Sequence, residues 1–373
     1  MMEAQNATGR VVNGLISRGE QPLNLEMPFA SLEEFITPNE RFYVRCHFPI
    51  PEINADTWRL RMEGSVRSPI ELTYAALREL PAHTITATME CAGNGRSFLE
   101  PKVKGVAWDL GAVGNAEWTG VLLRDVLERA GVKESAHEVI LEGADRGEIK
   151  EAPRPPGEIH YARSLPLEKA RADVLLAFAL NGEPLTPEHG FPLRAVVPGW
   201  FGMAAVKWLQ RIIVTDEPFN GYYQSIDYTY WERRDGMPTL VPLREMQVKA
   251  QIARPCMREV VPAATLYRVH GAAWGGEEVI AKVEISVDGG GNWQPATLLG
   301  EAVKNAWRFW EFQWQTPAQP GKQTVIARAT DAAGRTQSRE RVVDYGTYMV
   351  NHLLPIEVEI RISSVVAAEF FKA

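Results

Sequence analysis

Cysteine is scarce in this chain: Cys46, Cys91 and Cys256 are the only three in 373 residues. Three thiols cannot build a disulfide framework, and no two of them have the CxxC spacing of a zinc site. Long apolar runs are missing as well. The longest, residues 174–180, is far short of the roughly 20 residues that cross a bilayer. Residues 1–10 show neither a basic n-region nor an apolar h-region, so no secretory leader is read there. The expected location is therefore cytoplasmic, or periplasmic if a leader once preceded this sequence. An excess of basic charge is also absent, since 47 acidic residues outnumber 40 basic ones and the net charge is −7. That balance argues against a general nucleic-acid binder. No GxGxxG follows a strand pattern and no Walker sequence occurs, so no nucleotide cradle is expected.

What is present fits an ordinary globular protein, 45% hydrophobic and 23% charged, long enough for two domains with separate cores. Residues 40–235 read as mixed α and β. Leu123, Val126, Leu127 and Ala130 share one helical face, and Gly131 supplies a stop. Residues 139–141 and 193–197 read as strands, and the proline-rich stretch 152–157 as a surface loop. After about residue 245 the period changes to two. Val279, Ala281, Val283, Ile285 and Val287 alternate with mostly polar neighbours before the turn Asp288-Gly289-Gly290-Gly291-Asn292. Trp310, Phe312 and Trp314 repeat the alternation. The expected fold class is α+β: a mixed α/β domain, then an antiparallel immunoglobulin-like β-sandwich. The break falls between Gly236 and Pro242, giving domains 1–238 and 239–373.

Chemistry concentrates in a few short segments. Cys91 sits in Glu90-Cys91-Ala92-Gly93-Asn94-Gly95-Arg96, a thiol on a glycine-bearing loop with an arginine five residues on. A nearby guanidinium favours the thiolate, the form that ligates or attacks; a lone cysteine is otherwise a small buried hydrophobe. Arg45 and His47 fall on one side of an extended segment. His189-Gly190-Phe191-Pro192-Leu193-Arg194 groups a titratable donor with a permanent cation, and Lys207 follows.

In this order, with Trp108 and Tyr228 between and after them, these segments resemble the sulfite oxidase family of molybdenum-pterin enzymes, from about Pro38 to Pro355. The resemblance implies that Cys91 ligates molybdenum, and that Arg45, Arg96 and Arg308 line an anion pocket with Tyr228 and Trp108. It implies that His47, His189, Arg194 and Lys207 contact the cofactor, molybdopterin without an added dinucleotide. Tyr228 would hydrogen-bond at the metal, while Trp108 would supply shape and exclude water. Two departures stand out: Cys46 occupies a position where the family pattern leads us to expect asparagine, and Gly95 one where eukaryotic relatives commonly carry a second arginine.

The activity implied is oxidation of sulfite to sulfate, with electrons passed to an external acceptor such as a cytochrome c, since no haem or flavin module is read in the chain. The competing activities are reduction of nitrate or of an S- or N-oxide, and a non-enzymatic binding role for the sandwich. A homodimer is expected through the sandwich, where Trp307, Trp310 and Trp314 would suit an interface if exposed and a core if not. No motif explains residues 358–373.

Overall fold

The structure, a computed structural model, describes residues 11–12 and 14–362. Residues 1–10 and 363–373, where the leader and part of the unexplained tail were considered, lie outside the described residues. The chain forms two compact units, neither of them contiguous in sequence. The first comprises Ile36–Met246 with Met1–Met27 and Val343–Val350; the second comprises Gln247–Val342 with Pro28–Phe35 and Asn351–Ala373. The hairpin Thr229–Arg234 with Met237–Pro242 pairs within the first unit, so the division by contacts falls one strand later than the composition change suggested.

Two larger sheets frame the first unit. One has the order Glu158–Pro166, Glu138–Glu148, Leu209–Thr215, Arg59–Gly64, Ile70–Thr73, all antiparallel except the parallel pair Leu209–Thr215 with Arg59–Gly64. The other pairs Ala82–Glu90 with Val113–Leu122, then Leu175–Leu180, which also pairs with Arg194–Val196. The helix Leu123–Ala130 buries Leu123, Val126, Leu127 and Ala130 and ends at Gly131 with φ of 68°, as the apolar spacing requires. Leu175–Leu180 is buried along its whole length, which explains an apolar run without alternation.

The second unit is a sandwich. Lys249–Arg254, Leu266–Trp274, Arg308–Gln315 and Thr297–Leu298 form one sheet; Val260–Pro262, Ile356–Arg361, Gly321–Asp331, Ile280–Ser286 and Gln294–Pro295 form the other. One pairing, Val260–Pro262 with Ile356–Arg361, is parallel; the remaining pairs are antiparallel. Val283, Ile285, Val325, Ala327 and Val358 meet Ile252, Val269, Trp310 and Trp314 in a single core. One expectation needs correction, and one open alternative is decided. A register shift between Ile280 and Lys282 turns Ile280 inward and leaves Ala281 exposed, so the alternation holds only from Val283 onward. Trp307, Trp310 and Trp314 are 1%, 0% and 4% exposed, so they fill the core and offer no exposed aromatic face. Part of the unexplained tail is structural: Val358 and Ile360 are buried core residues.

Candidate functional site

Cys91 follows directly on Ala82–Glu90, whose last residue pairs with Val113, so the loop starts from a fixed strand end. Its backbone is closed by local hydrogen bonds. Cys91 N donates to Ala112 O (2.9 Å), Asn94 N to Cys91 O (2.8 Å), and Arg96 N to Gly93 O (3.0 Å). Asn94 braces the turn by donating to Glu90 Oε1 (3.1 Å) and accepting from Ala112 N (3.1 Å). Gly95 has φ of 91°, a left-handed conformation costly for a residue with a Cβ, so this chain's loop is shaped around glycine there. Trp108 is fully buried in the core cluster that also holds Cys91, Tyr43 and Met89, and it lines neither cavity described next.

Two cavities in the first unit share Cys91, Arg45 and Tyr228 as lining residues. The first is lined further by His47, Asp145, Tyr161, Glu188, His189, Arg194 and Lys207. The second is lined by Arg96, Lys104, Asp227, Tyr230, Trp231 and Tyr348, among others. The thiol thus stands at the common wall of a cation-rich chamber and an aromatic cleft. All four expected cofactor contacts, His47, His189, Arg194 and Lys207, line the first cavity; Arg96 lines the second. Arg308 belongs to the second unit, where it begins a strand and donates to the Gly300 carbonyl (2.5 Å).

The cations are fixed by carbonyl oxygens and sulfur. Arg194 Nη1 donates to His189 O (3.1 Å), Nη2 approaches Ala205 O and Met89 Sδ (3.2 Å each), and the guanidinium lies 4.9 Å from the Trp118 ring centroid. Lys207 Nζ donates to Glu188 O (2.7 Å) and to Cys46 Sγ (3.3 Å), which gives the unusual thiol at 46 a partner. Burial lowers both cations, Arg194 to about 10 and Lys207 from its ordinary value. Burial, aided by Arg45 and Lys207, drives His47 well below the usual histidine range, and burial raises Tyr228. At neutral pH a neutral imidazole and a neutral phenol therefore share the 2.6 Å hydrogen bond between His47 Nε2 and Tyr228 Oη.

Arg96 sits in a slot that two glycines leave open. A Cβ on Gly93 would collide with the guanidinium, and one on Gly105 would stand 2.7 Å from its Nη1. Its Nη1 donates to Val106 O (2.7 Å) and its Nε to Thr347 O (3.0 Å).

Sequence reading missed Asp145, Tyr161 and Tyr348. Asp145 is 3% exposed, its Oδ1 has no hydrogen-bond partner, and burial pushes it up to about 7. Tyr161 stacks on His47 at 4.3 Å between ring centroids. None of the three belongs to a local motif; each reaches the site only through the fold.

His189 makes a measurable pH prediction. It is 6% exposed, and burial, then Arg194 and Lys207, hold it down at about 3. The unfolded chain takes up this proton near pH 6.5 and the folded chain does not. The folded value lies below the unfolded one, so this stability is present above pH 6.5 and is lost as pH falls toward 3, at about 1.4 kcal/mol per pH unit. Between pH 7.5 and 5.5, urea unfolding should show His189→Gln losing about 1.4 kcal/mol less than wild type. Equal losses in both proteins would remove His189 from this account.

Comparison with known proteins gives a consistent picture. The oxidoreductase molybdopterin binding domain matches residues 47–223, and the Mo-co oxidoreductase dimerisation domain matches residues 241–360. Sulfite oxidase of Gallus gallus is 37% identical over 347 residues, covering 87% of this chain and 73% of that protein. Mitochondrial sulfite oxidase of Rattus norvegicus is 36% identical over 85% of this chain; the chain spans 60% of that relative's length. An inducible NADH nitrate reductase of Glycine max is 32% identical but only 40% covered. Among solved structures, the sulfane dehydrogenase SoxCD from Paracoccus pantotrophus superposes with a TM-score of 0.79 at 28% identity, over 97% of this chain and 95% of that one.

Proposed function

Because the chain belongs to the sulfite oxidase family of molybdopterin oxidoreductases, we propose that it oxidises sulfite to sulfate and passes the electrons to a separate acceptor such as a cytochrome c. The observation that carries this reading is the shared wall: Cys91, Arg45 and Tyr228 face both the cation-rich chamber and the aromatic cleft.

The residues present fit the cofactor. Among the described residues no group of three or more His, Cys, Asp or Glu could hold a metal ion, so a metal beside Cys91 needs donors that this chain does not supply. A pterin dithiolene is such a donor, and soft sulfur suits molybdenum. Arg194 and Lys207 would hold its phosphate and polar edge, and the orphaned Asp145 oxygen offers a partner to its ring nitrogens. Bound there, the group supplies two-electron oxygen-atom chemistry. The chain's own residues do the rest. Arg45 and Arg96 attract and orient a small dianion, and as fixed forks they stabilise its charge without reorganisation. Tyr228, kept protonated by burial, holds a proton at Oη beside His47. Tyr230, Trp231 and Tyr348 line the cleft. The dimerisation-domain match supports a homodimer.

The test is sulfite-dependent reduction of ferricyanide by protein of known molybdenum content. Turnover in proportion to molybdenum supports the proposal. A second reading is oxidation of sulfane sulfur, which the near-complete two-way overlap with the sulfane dehydrogenase supports; loaded protein that ignores sulfite but oxidises sulfane sulfur would favour it.

A further inference from the structure

We propose that Val343–Val350, the stretch by which the chain re-enters the first unit, is a positioning strap for the anion pocket, with Tyr348 as the residue that sets both Arg96 and Tyr228. The proposal rests on the oxyanion reading above and adds to it a residue that no motif marks.

The strap is tied to all three parts of the site. Met349 N donates to Ala92 O (2.9 Å), which fastens it to the residue after Cys91. Thr347 O receives Arg96 Nε (3.0 Å), and the Arg96 guanidinium lies 5.2 Å from the Tyr348 ring centroid. Tyr348 Oη donates to Asp227 Oδ1 (2.6 Å), and its ring lies 5.0 Å from that of Tyr228, inclined at 36°.

The physical effect follows from these contacts. Arginine has many rotamers, and a charge used for orientation must lose them before substrate arrives. A carbonyl on Nε and an aromatic face under the guanidinium do this for Arg96. Asp227 immediately precedes Tyr228, so a charge-assisted bond at Asp227 fixes the backbone that carries the catalytic phenol. Tyr348 therefore couples an orienting arginine to a proton-holding tyrosine in the cleft that Cys91 also lines. It touches no reacting atom and is a positioning residue.

Two variants of the full chain separate its two contacts. Tyr348→Phe keeps the ring and removes the bond to Asp227; kcat per molybdenum should fall about tenfold with KM within about twofold of wild type. Tyr348→Leu removes both contacts; KM for sulfite and the calorimetric Kd for inorganic sulfate should each rise about tenfold as well. KM and sulfate Kd kept in Phe but raised in Leu assign the effect on the anion to the ring under Arg96. Amide hydrogen exchange reads the strap without any substrate. Faster exchange over 91–98 and 226–229 in Tyr348→Leu, with the rest of the first unit unchanged, supports the proposal. Unchanged exchange there, or variants that lose only thermal stability and molybdenum content while kcat per molybdenum, KM and sulfate Kd stay at wild type, overturns it. If wild type fails to oxidise sulfite, the functional reading falls while the exchange experiment still decides the strap.

Discussion

Cys91→Ser should lower sulfite turnover by roughly a thousandfold or more, beyond the 10–100-fold typical of changes to groups that merely support a metal ligand. The loop geometry makes this a clean experiment. Cys91 is 7% exposed, and it enters the hydrogen bonds that shape its turn through its backbone, so serine can take the same place. Only the donor atom changes. A thiolate is soft and accessible near neutral pH, whereas a serine hydroxyl stays protonated and is a hard donor. Molybdenum per chain and sulfite-dependent ferricyanide reduction should be measured on the same preparation. A variant keeping a tenth of wild-type turnover per chain would end the assignment of Cys91 as the protein's ligand.

Arg96→Gln should raise the sulfite KM about a hundredfold while leaving kcat within a few-fold. Removing one member of a buried, hydrogen-bonded charge pair costs about 2–5 kcal/mol in binding, and a hundredfold lies within that span. The substitution leaves the Val106 and Thr347 carbonyls without their guanidinium donors and takes a positive charge from the cleft. Lysine should not restore binding. The slot beside Gly93 and Gly105 accepts a flat group, and a single ammonium cannot reach both carbonyls while also facing an anion. Steady-state kinetics at saturating acceptor would check both variants. An unchanged KM in Arg96→Gln would take Arg96 out of substrate binding.

Much of this was legible in the sequence because its signals are local. The apolar spacing of Leu123–Ala130 marks a helix since one face must be buried. Asp288 announces its turn because its carboxylate can receive the Gly291 and Asn292 amides. The Cys91 loop declares itself through glycines that the backbone angles and the Arg96 slot need. What stayed hidden depends on which distant segments the fold brings together. Asp145 and Tyr161 lie within two paired strands, at their register shift, and both line the first cavity; nothing in their neighbours' identities says so. Tyr348 lies over a hundred residues beyond Asp227, with most of the sandwich sequence between them. The three sandwich tryptophans show the opposite difficulty. Alternation placed Trp310 and Trp314 on one face, but period alone does not tell a core face from an exposed one.

The interleaving of the two units has an evolutionary consequence. Pro28–Phe35 is counted with the second unit and Val343–Val350 with the first, so no single cut yields two intact halves. A recombination event joining the first 246 codons to a foreign partner would deliver a pocket without Thr347 and Tyr348. Shuffling of the kind that spreads autonomous modules among genes would therefore split the site unless both units moved together.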